Sequence, residues 1–448
     1  MEFKNAWAKA NTDEVFKYAE GYKNFLSVAK TEREVVDYFQ KVIKEKPTLP
    51  QEDVITFNFK NKCLAIYRRG DNDIKSGIKI VAAHIDAPRV DVKQNPLYED
   101  SSIVMLETHY YGGIKKYQWV ARPLALHGVI IKKDGRVLNI NLGENPGDPV
   151  FTFTDLLPHL ARNVQSNKSI SEAIHGEKLD LLFGNLPVQE EDEKIKEKVK
   201  ENVLRILKEK YGIEEKDFVS AELEIVPAGP AVDVGIDGSM VGGYGQDDRV
   251  CAYTAVTALL DSDRLAKHSL IILFDKEEIG SDGNTGAQSE IVEYVLSKIL
   301  EDYGIKDYSS LREILFKSEA ISGDVTAGVD PNWKEVHELK NAAFIGHGIA
   351  ISKYTGSGGK YSTNDAHAEF VARIINIFDE YDVVWQVAEL GRVDEGGGGT
   401  VAKYLSKLGI DTIDAGTPLL SMHSPFEIAS KVDIYMTYRA YKAFLQAK

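Results

Sequence analysis

Acids and histidines in this chain gather where apolar runs stop. The run 78–83 leads into His84-Ile85-Asp86, and Ser269–Phe274 leads into Asp275-Lys276-Glu277-Glu278. The shorter runs Glu319–Ser322 and 411–414 lead into Gly323-Asp324 and into a loop carrying His423. Asp247-Asp248 stands directly before a helical pattern that begins near Val250. Taken singly, each cluster has a plain reading: a hydrogen-bonded histidine, a solvated acidic pair, a turn aspartate. Taken together, imidazoles and carboxylates without thiolates are a donor set for zinc, cobalt or manganese. Two histidines and three carboxylates exceed the needs of one tetrahedral catalytic ion. They suit two ions that share a carboxylate, about 3.5–4 Å apart. His84 and Asp86 are two apart on a strand and face the same way, so Asp86 can orient the other ring nitrogen of a metal-bound His84. Neighbouring Glu277 and Glu278 diverge at a strand end. One of the pair can bind metal while the other holds water as a general base.

Such a site needs elements that bring distant segments together. In open α/β sheets, ligands bind outside the carboxyl ends of the strands. Two amphipathic helices are expected over 12–29 and 31–46, with Thr31 and Glu34 as a capping box. Strands follow at Val54–Phe59, 63–67 and 77–83, the last an apolar run suited to burial on both faces. The middle of the chain differs. Leu124–Ile131 and 136–142 flank Lys133-Asp134-Gly135, a hairpin signal. Residues 219–226 alternate, with Val219, Ala221, Leu223 and Ile225 on one face. Helices are expected near 155–165 and, strongly charged, near 190–211, the latter a solvated face. From about 236 the α/β pattern resumes, with helices at 250–260 and 434–446. The simplest organisation is an α/β domain of residues 1–92 and 236–448, interrupted by an inserted α+β domain, 93–235, rich in antiparallel strands. Three glycine-rich stretches, Gly242-Gly243-Tyr244-Gly245, 356–359 and 396–399, read as flexible loops. None precedes Lys-Ser or Lys-Thr, so no phosphate-binding P-loop is present.

Composition narrows the function. The 448 residues are 43% hydrophobic and 27% charged, which is globular and excludes a disordered chain. With 54 basic and 69 acidic residues the net charge is −15, poorly matched to nucleic acid. The two cysteines, Cys63 and Cys251, suit a reducing compartment. Residues 1–30 carry charges throughout and no apolar signal-peptide core, and no run reaches the roughly 18 apolar residues of a membrane span. A cytoplasmic protein without membrane contact is expected.

The ordered set Ala83-His84-Ile85-Asp86-Ala87-Pro88, Gln246-Asp247-Asp248, Phe274-Asp275-Lys276-Glu277-Glu278-Ile279-Gly280-Ser281, Ser322-Gly323-Asp324 and Ser421-Met422-His423-Ser424 resembles the M18 family of metallo-aminopeptidases, the aspartyl aminopeptidase and aminopeptidase I group. The resemblance spans nearly the whole chain. It implies a mixed-sheet, zinc-exopeptidase-like α/β catalytic domain with an inserted dimerisation domain, and two divalent ions, zinc first, with cobalt or manganese as alternatives. It makes Asp247 the bridging carboxylate, His84 and Asp324 the other ligands of one ion, and Glu278 and His423 those of the second. Glu277 becomes the general base and Asp86 the partner of His84. His159, in Leu157-Pro158-His159-Leu160-Ala161, matches a histidine that reaches a neighbouring subunit's active site. Tyr361 matches a substrate-contacting tyrosine. Homo-oligomers are implied, dimers assembling into a tetrahedral dodecamer.

Three departures bear on specificity. Gln246-Asp247-Asp248 replaces the family's usual Leu-Asp-Asn. Asp324-Val325-Thr326-Ala327 lacks a histidine that helps hold acidic side chains, and the lysine expected near 351–352 falls at Lys353. The expected substrate is therefore a peptide with a neutral or apolar N-terminal residue, acidic ones being the alternative. The rival functions are a dinuclear N-acyl amino acid deacylase and a catalytically silent scaffold on a peptidase fold.

Overall fold

In a computed structural model that describes residues 4–46, 53–189 and 195–448, local sequence signals account for the first elements. The Asn11 side chain caps helix Thr12–Val28 by accepting the N–H groups of Asp13 and Glu14. Thr31 and Glu34 form the reciprocal capping box ahead of Glu32–Glu45. The chain folds as two units. One holds Met1–Ala87, Ala231–Met422 and Phe426–Lys448; the other holds Pro88–Pro230 and His423–Pro425. The sequence-based boundaries of the insert, 93–235, differ from these by a few residues, and strand patterning has no means of assigning three residues near the C-terminus to the second unit.

The first unit is built on an eight-stranded mixed sheet. Its order is Val54–Phe59, Cys63–Arg68, Ser269–Phe274, Lys79–His84, Glu319–Ser322, Asp411–Gly416, Ile349–Ser352 and Trp385–Val387. Strands three to six of this order run parallel. Ser269–Phe274 and Lys79–His84 are buried along their whole length, as continuous apolar runs in a covered parallel sheet should be. Alternate residues feed two cores. Val81, Ala83, Ile271 and Leu273 pack with the first two helices and with Gln246–Leu260, Ala368–Glu380 and Lys431–Gln446. Ile80, Ala82, Leu270 and Ile272 pack with Ile291–Asp302 and Tyr308–Phe316. In the first turn of Lys431–Gln446, buried Asp433 accepts the N–H groups of Gly346 and Gly348, each at 2.7 Å. A five-stranded sheet, Val232–Val234, Met240–Gly243, Glu427–Ser430, Pro418–Leu420 and Thr326–Ala327, completes this unit.

The second unit carries a seven-stranded antiparallel sheet in the order Val137–Leu142, Leu124–Ile131, Ala221–Pro227, Arg89–Asp100, Ile103–Tyr111, Leu181–Gly184 and Thr152–Phe153. The long hairpin Arg89–Asp100 with Ile103–Tyr111 has no clean sequence signal, because Pro96 falls where the register shifts between Val92 and Leu97. The expected alternation over 219–226 is corrected. Val219 is exposed, and Glu224 is buried beside Arg89, its carboxylate 3.2 Å from Nε. The helix expected near 155–165 shrinks to Pro158–Ala161, since Leu156, Leu157 and Leu160 have no buried face to hold them. The charged helix expected over 190–211 begins outside the described residues, which exclude 190–194; its described part is Lys198–Ile206 followed by a π turn, Leu207–Tyr211. Gly242 and Gly243 are not a flexible loop but buried strand residues, and a Cβ on Gly242 would lie 2.3 Å from the Phe426 ring. Among the described residues no helix is long and apolar enough to cross a membrane. Cys63 and Cys251 are buried free thiols.

Candidate metal centre

The parallel centre of the large sheet makes several strands end together. Phe274 lies opposite His84, and Ser322 lies opposite Ala82 on one side and Asp414 on the other. His84 is the last residue of its strand. Its Nε2 is 3.1 Å from Asp247 Oδ1, and its Nδ1 is 3.1 Å from the Asp86 carbonyl oxygen and 3.3 Å from Asp86 Oδ1. Asp247 and Asp248 have non-helical backbone angles at the entry to Gln246–Leu260 and are joined by a cis peptide bond. The buried Asp86 carboxylate also accepts the N–H of Glu277 at Oδ1 and of Glu278 at Oδ2, each at 3.1 Å. One carboxylate thus touches both the imidazole and the turn Glu277–Ile279.

Two donor groups result: His84, Asp247 and Glu278, and Asp247, Asp248 and Asp324. Within each, the candidate atoms lie within 4.8 Å of one another, and Asp247 is common to both. Burial alone would lower the His84 pKa, but hydrogen bonds to Asp247 and Asp86 and the charge of Glu277 outweigh it and raise it well above the ordinary value. Burial, with the negative charge of Asp247, pushes Asp248 well up; burial, with Asp248, Glu277 and Asp247, does the same to Asp324. Burial and the neighbouring acids thus disfavour the charged form of Asp248 and Asp324, a cost that a cation bound among the donors would offset. Imidazole and carboxylate donors with no thiolate fit a zinc-like ion.

His423, His159 and Tyr361 are outside the two donor groups. His423 groups with the second unit, half-buried, its Nδ1 3.2 Å from the Gly113 carbonyl oxygen, and is in neither donor group. His159 is exposed on the short helix Pro158–Ala161 of that unit. Tyr361 is 73% exposed in a tight loop where its N–H reaches the Ser357 carbonyl at 3.0 Å.

Sequence reasoning does not assign Asp248 as a donor, although the adjacent acidic pair signals it. It also passes over the supports of the pair. Gln246, fully buried, accepts the Tyr22 hydroxyl at 3.2 Å and donates to the carbonyls of Val241 at 3.1 Å and Glu427 at 2.7 Å. The Glu427 carboxylate accepts the Asp247 N–H at 3.1 Å. Buried Arg249 donates to the carbonyls of Lys30 at 2.7 Å and Ile85 at 3.3 Å, tying the helix to the His84 segment. Gly245, at φ 72°, leaves room for it; a Cβ there would meet its Nη1 at 2.0 Å.

A family model described as aminopeptidase I zinc metalloprotease (M18) matches residues 24–445. The chain belongs to the M18 family. It is a metallo-aminopeptidase, a hydrolase of the exopeptidase class, and the family's metal is zinc. An M18 relative from Thermotoga maritima, named "Probable M18 family aminopeptidase 1", is 50% identical and aligns over 100% of this chain and 99% of its own. The relative of the same name from Clostridium acetobutylicum is 50% identical over 99% of this chain and 98% of its own. The crystal structure of an M18-family aminopeptidase from Thermotoga maritima is 49% identical and superposes with a TM-score of 0.96, covering 100% of both chains. An M18 neighbour from Saccharomyces cerevisiae, described as the mApe1 dodecamer, shares the fold at 21% identity and a TM-score of 0.74, covering 96% of both chains.

Proposed function

We propose that this aminopeptidase removes single N-terminal residues, neutral or apolar ones in preference to acidic, from peptides with the help of two divalent ions that share Asp247. The observation that carries the reading is the pair of donor groups with Asp247 in common, set beside a turn whose glutamate N–H groups are gripped by Asp86. His84, Asp247, Glu278, Asp248 and Asp324 would hold the ions, with His423 as a further ligand. Zinc is the first choice, and cobalt or manganese the alternatives. Bound there, such ions would supply Lewis acidity toward the scissile carbonyl and acidify a water molecule.

Glu277 takes a proton from the attacking water as the new C–O bond forms. It returns that proton to the departing amine nitrogen as the C–N bond breaks. Asp86 holds the turn so that Glu277 stays over the reacting carbon, and orients the His84 ring. Tyr361 and His159 are proposed donors to the tetrahedral oxyanion, an effect worth about 3–4 kcal/mol for a donor in this role. His159 would act on a neighbouring subunit within a homo-oligomer, dimers of the inserted unit building a tetrahedral dodecamer in the cytoplasm. Apart from the peptide substrate, no nucleic-acid or membrane partner is proposed.

The test is metal analysis of the purified protein joined to hydrolysis of an aminoacyl-anilide panel. The expected result is two ions per chain, faster turnover of neutral than acidic anilides, and no hydrolysis of N-acyl amino acids. The variant Glu277→Gln should keep both ions and lose most turnover. Wild-type kcat in that variant would remove Glu277 from the base role; one ion per chain in an active enzyme would end the shared-carboxylate reading.

A further inference from the structure

The residue before the Glu277-Glu278 pair is a lysine in a conformation lysine seldom adopts. Lys276 has φ 69° and ψ 16°, in the left-handed region where a Cβ crowds the backbone. Such a residue persists only where its surroundings over-determine it. Its backbone carbonyl accepts the N–H of Ser281 at 2.7 Å and of Ile279 at 3.3 Å. Its side chain turns back on itself. Nζ donates to Asp275 Oδ2 at 2.5 Å and to Thr285 Oγ1 at 2.7 Å, and the Thr285 hydroxyl donates to the same Asp275 oxygen at 2.7 Å. The ring of three groups is closed and its two anchors are buried, Asp275 at 1% and Thr285 at 2% exposure. A backbone bond, Asp275 N–H to the Thr285 carbonyl at 3.1 Å, fixes the anchors to each other. The stem has a bed as well, since a Cβ on Gly283 would come within 3.2 Å of Lys276 Cδ. Asp86 grips the N–H groups of the next two residues, Glu277 and Glu278. The turn is therefore fastened on both sides of Glu277.

We propose that Lys276 is a positioning residue for the hydrolytic reaction, its ammonium, locked onto Asp275 and Thr285, holding the left-handed turn that aims the Glu277 carboxylate. This rests on the reading of Glu277 as general base. A lysine that merely neutralised buried Asp275 would affect unfolding without acting through Glu277.

The test uses full-length enzyme loaded with zinc and four variants: Lys276→Met, Lys276→Arg, Thr285→Val and Glu277→Gln, with the Lys276→Met/Glu277→Gln double variant. Lys276→Met should lose about 10- to 100-fold in kcat, as small displacements of a reacting group do. Its KM should stay within about twofold and its zinc content should be unchanged. Arginine keeps the charge and should recover most of the loss; Thr285→Val, which removes one side of the ring, should lose several-fold. On the Glu277→Gln background Lys276→Met should cost nothing further, because the two act as a unit. Unchanged kcat in Lys276→Met, a loss that tracks zinc content, or an equal loss on the Glu277→Gln background would each overturn the proposal. If Lys276→Met does not fold, Thr285→Val carries the same comparison, and unchanged kcat there overturns it. Wild-type turnover in Glu277→Gln alone would sink the base reading and this one with it, an outcome separate from failure at Lys276.

Discussion

Replacing Asp86 with asparagine separates two tasks that one carboxylate performs. The side chain is fully buried, and its two oxygens accept the N–H groups of Glu277 and Glu278 at 3.1 Å each. Asparagine keeps one acceptor and presents an NH2 where the other stood, so one backbone donor faces another. A stranded buried donor costs about 1–3 kcal/mol. Felt wholly at the position of Glu277, that is about 5- to 150-fold in kcat. His84 is better protected. Its Nδ1 is closer to the Asp86 carbonyl oxygen, 3.1 Å, than to the carboxylate, 3.3 Å, and the carbonyl survives the substitution. Zinc affinity should therefore fall toward the small end of the range for lost partners of metal ligands, about 10-fold. The assay is kcat on a neutral aminoacyl-anilide at saturating zinc, beside zinc affinity by competition with a chelator. A zinc-saturated Asp86→Asn enzyme with wild-type kcat and affinity reduced beyond about 100-fold would refute the reasoning, since Asp86 would then serve the metal ligand and not the turn.

Two further outcomes test the framework around the site. Thr31→Ala removes one half of the capping box and should reduce the urea-unfolding free energy by about 0.5–2 kcal/mol; no change would mean that packing alone fixes Glu32–Glu45. Burial pushes the Asp433 carboxyl up to about 8, against the opposing pull of the Gly346 and Gly348 N–H groups. An unfolded aspartate titrates near about 3.9, so in the window between the two values the folded chain holds a proton that the unfolded chain has released. The stabilisation is complete below that window and is lost as pH rises through it toward 8. Unfolding free energy should fall with pH more steeply in the wild type than in Asp433→Asn, and equal slopes would exclude the assignment.

The parts of the site legible in the sequence are those written by strand ends. Runs 78–83 and 269–274 are apolar because both faces of a parallel strand are covered, so the polar residues that follow them mark where the chain leaves the core. His84, Asp247, Glu278 and Asp324 stand out at such boundaries, and the structure draws them into two groups with Asp247 in common. What the pattern does not carry is lateral. That Asp86 grips the next strand's turn, that Gln246 spans three segments, and that Asp248 joins the donors all depend on pairings between residues far apart in the chain. Amphipathic patterning fails over 155–165 for a different reason: the period is present, but Leu156, Leu157 and Leu160 stay exposed within the chain. His423 is marked by its motif, and its grouping with the second unit is a matter of chain path to which local sequence is blind.

The neighbours of Lys79–His84 in the large sheet come from distant stretches of the chain, Ser269–Phe274 and Glu319–Ser322. In a growing polypeptide, His84 precedes the long segment Pro88–Pro230 of the second unit, and either partner strand is made only after it. Both donor groups are therefore complete only in a chain already extended as far as Asp324.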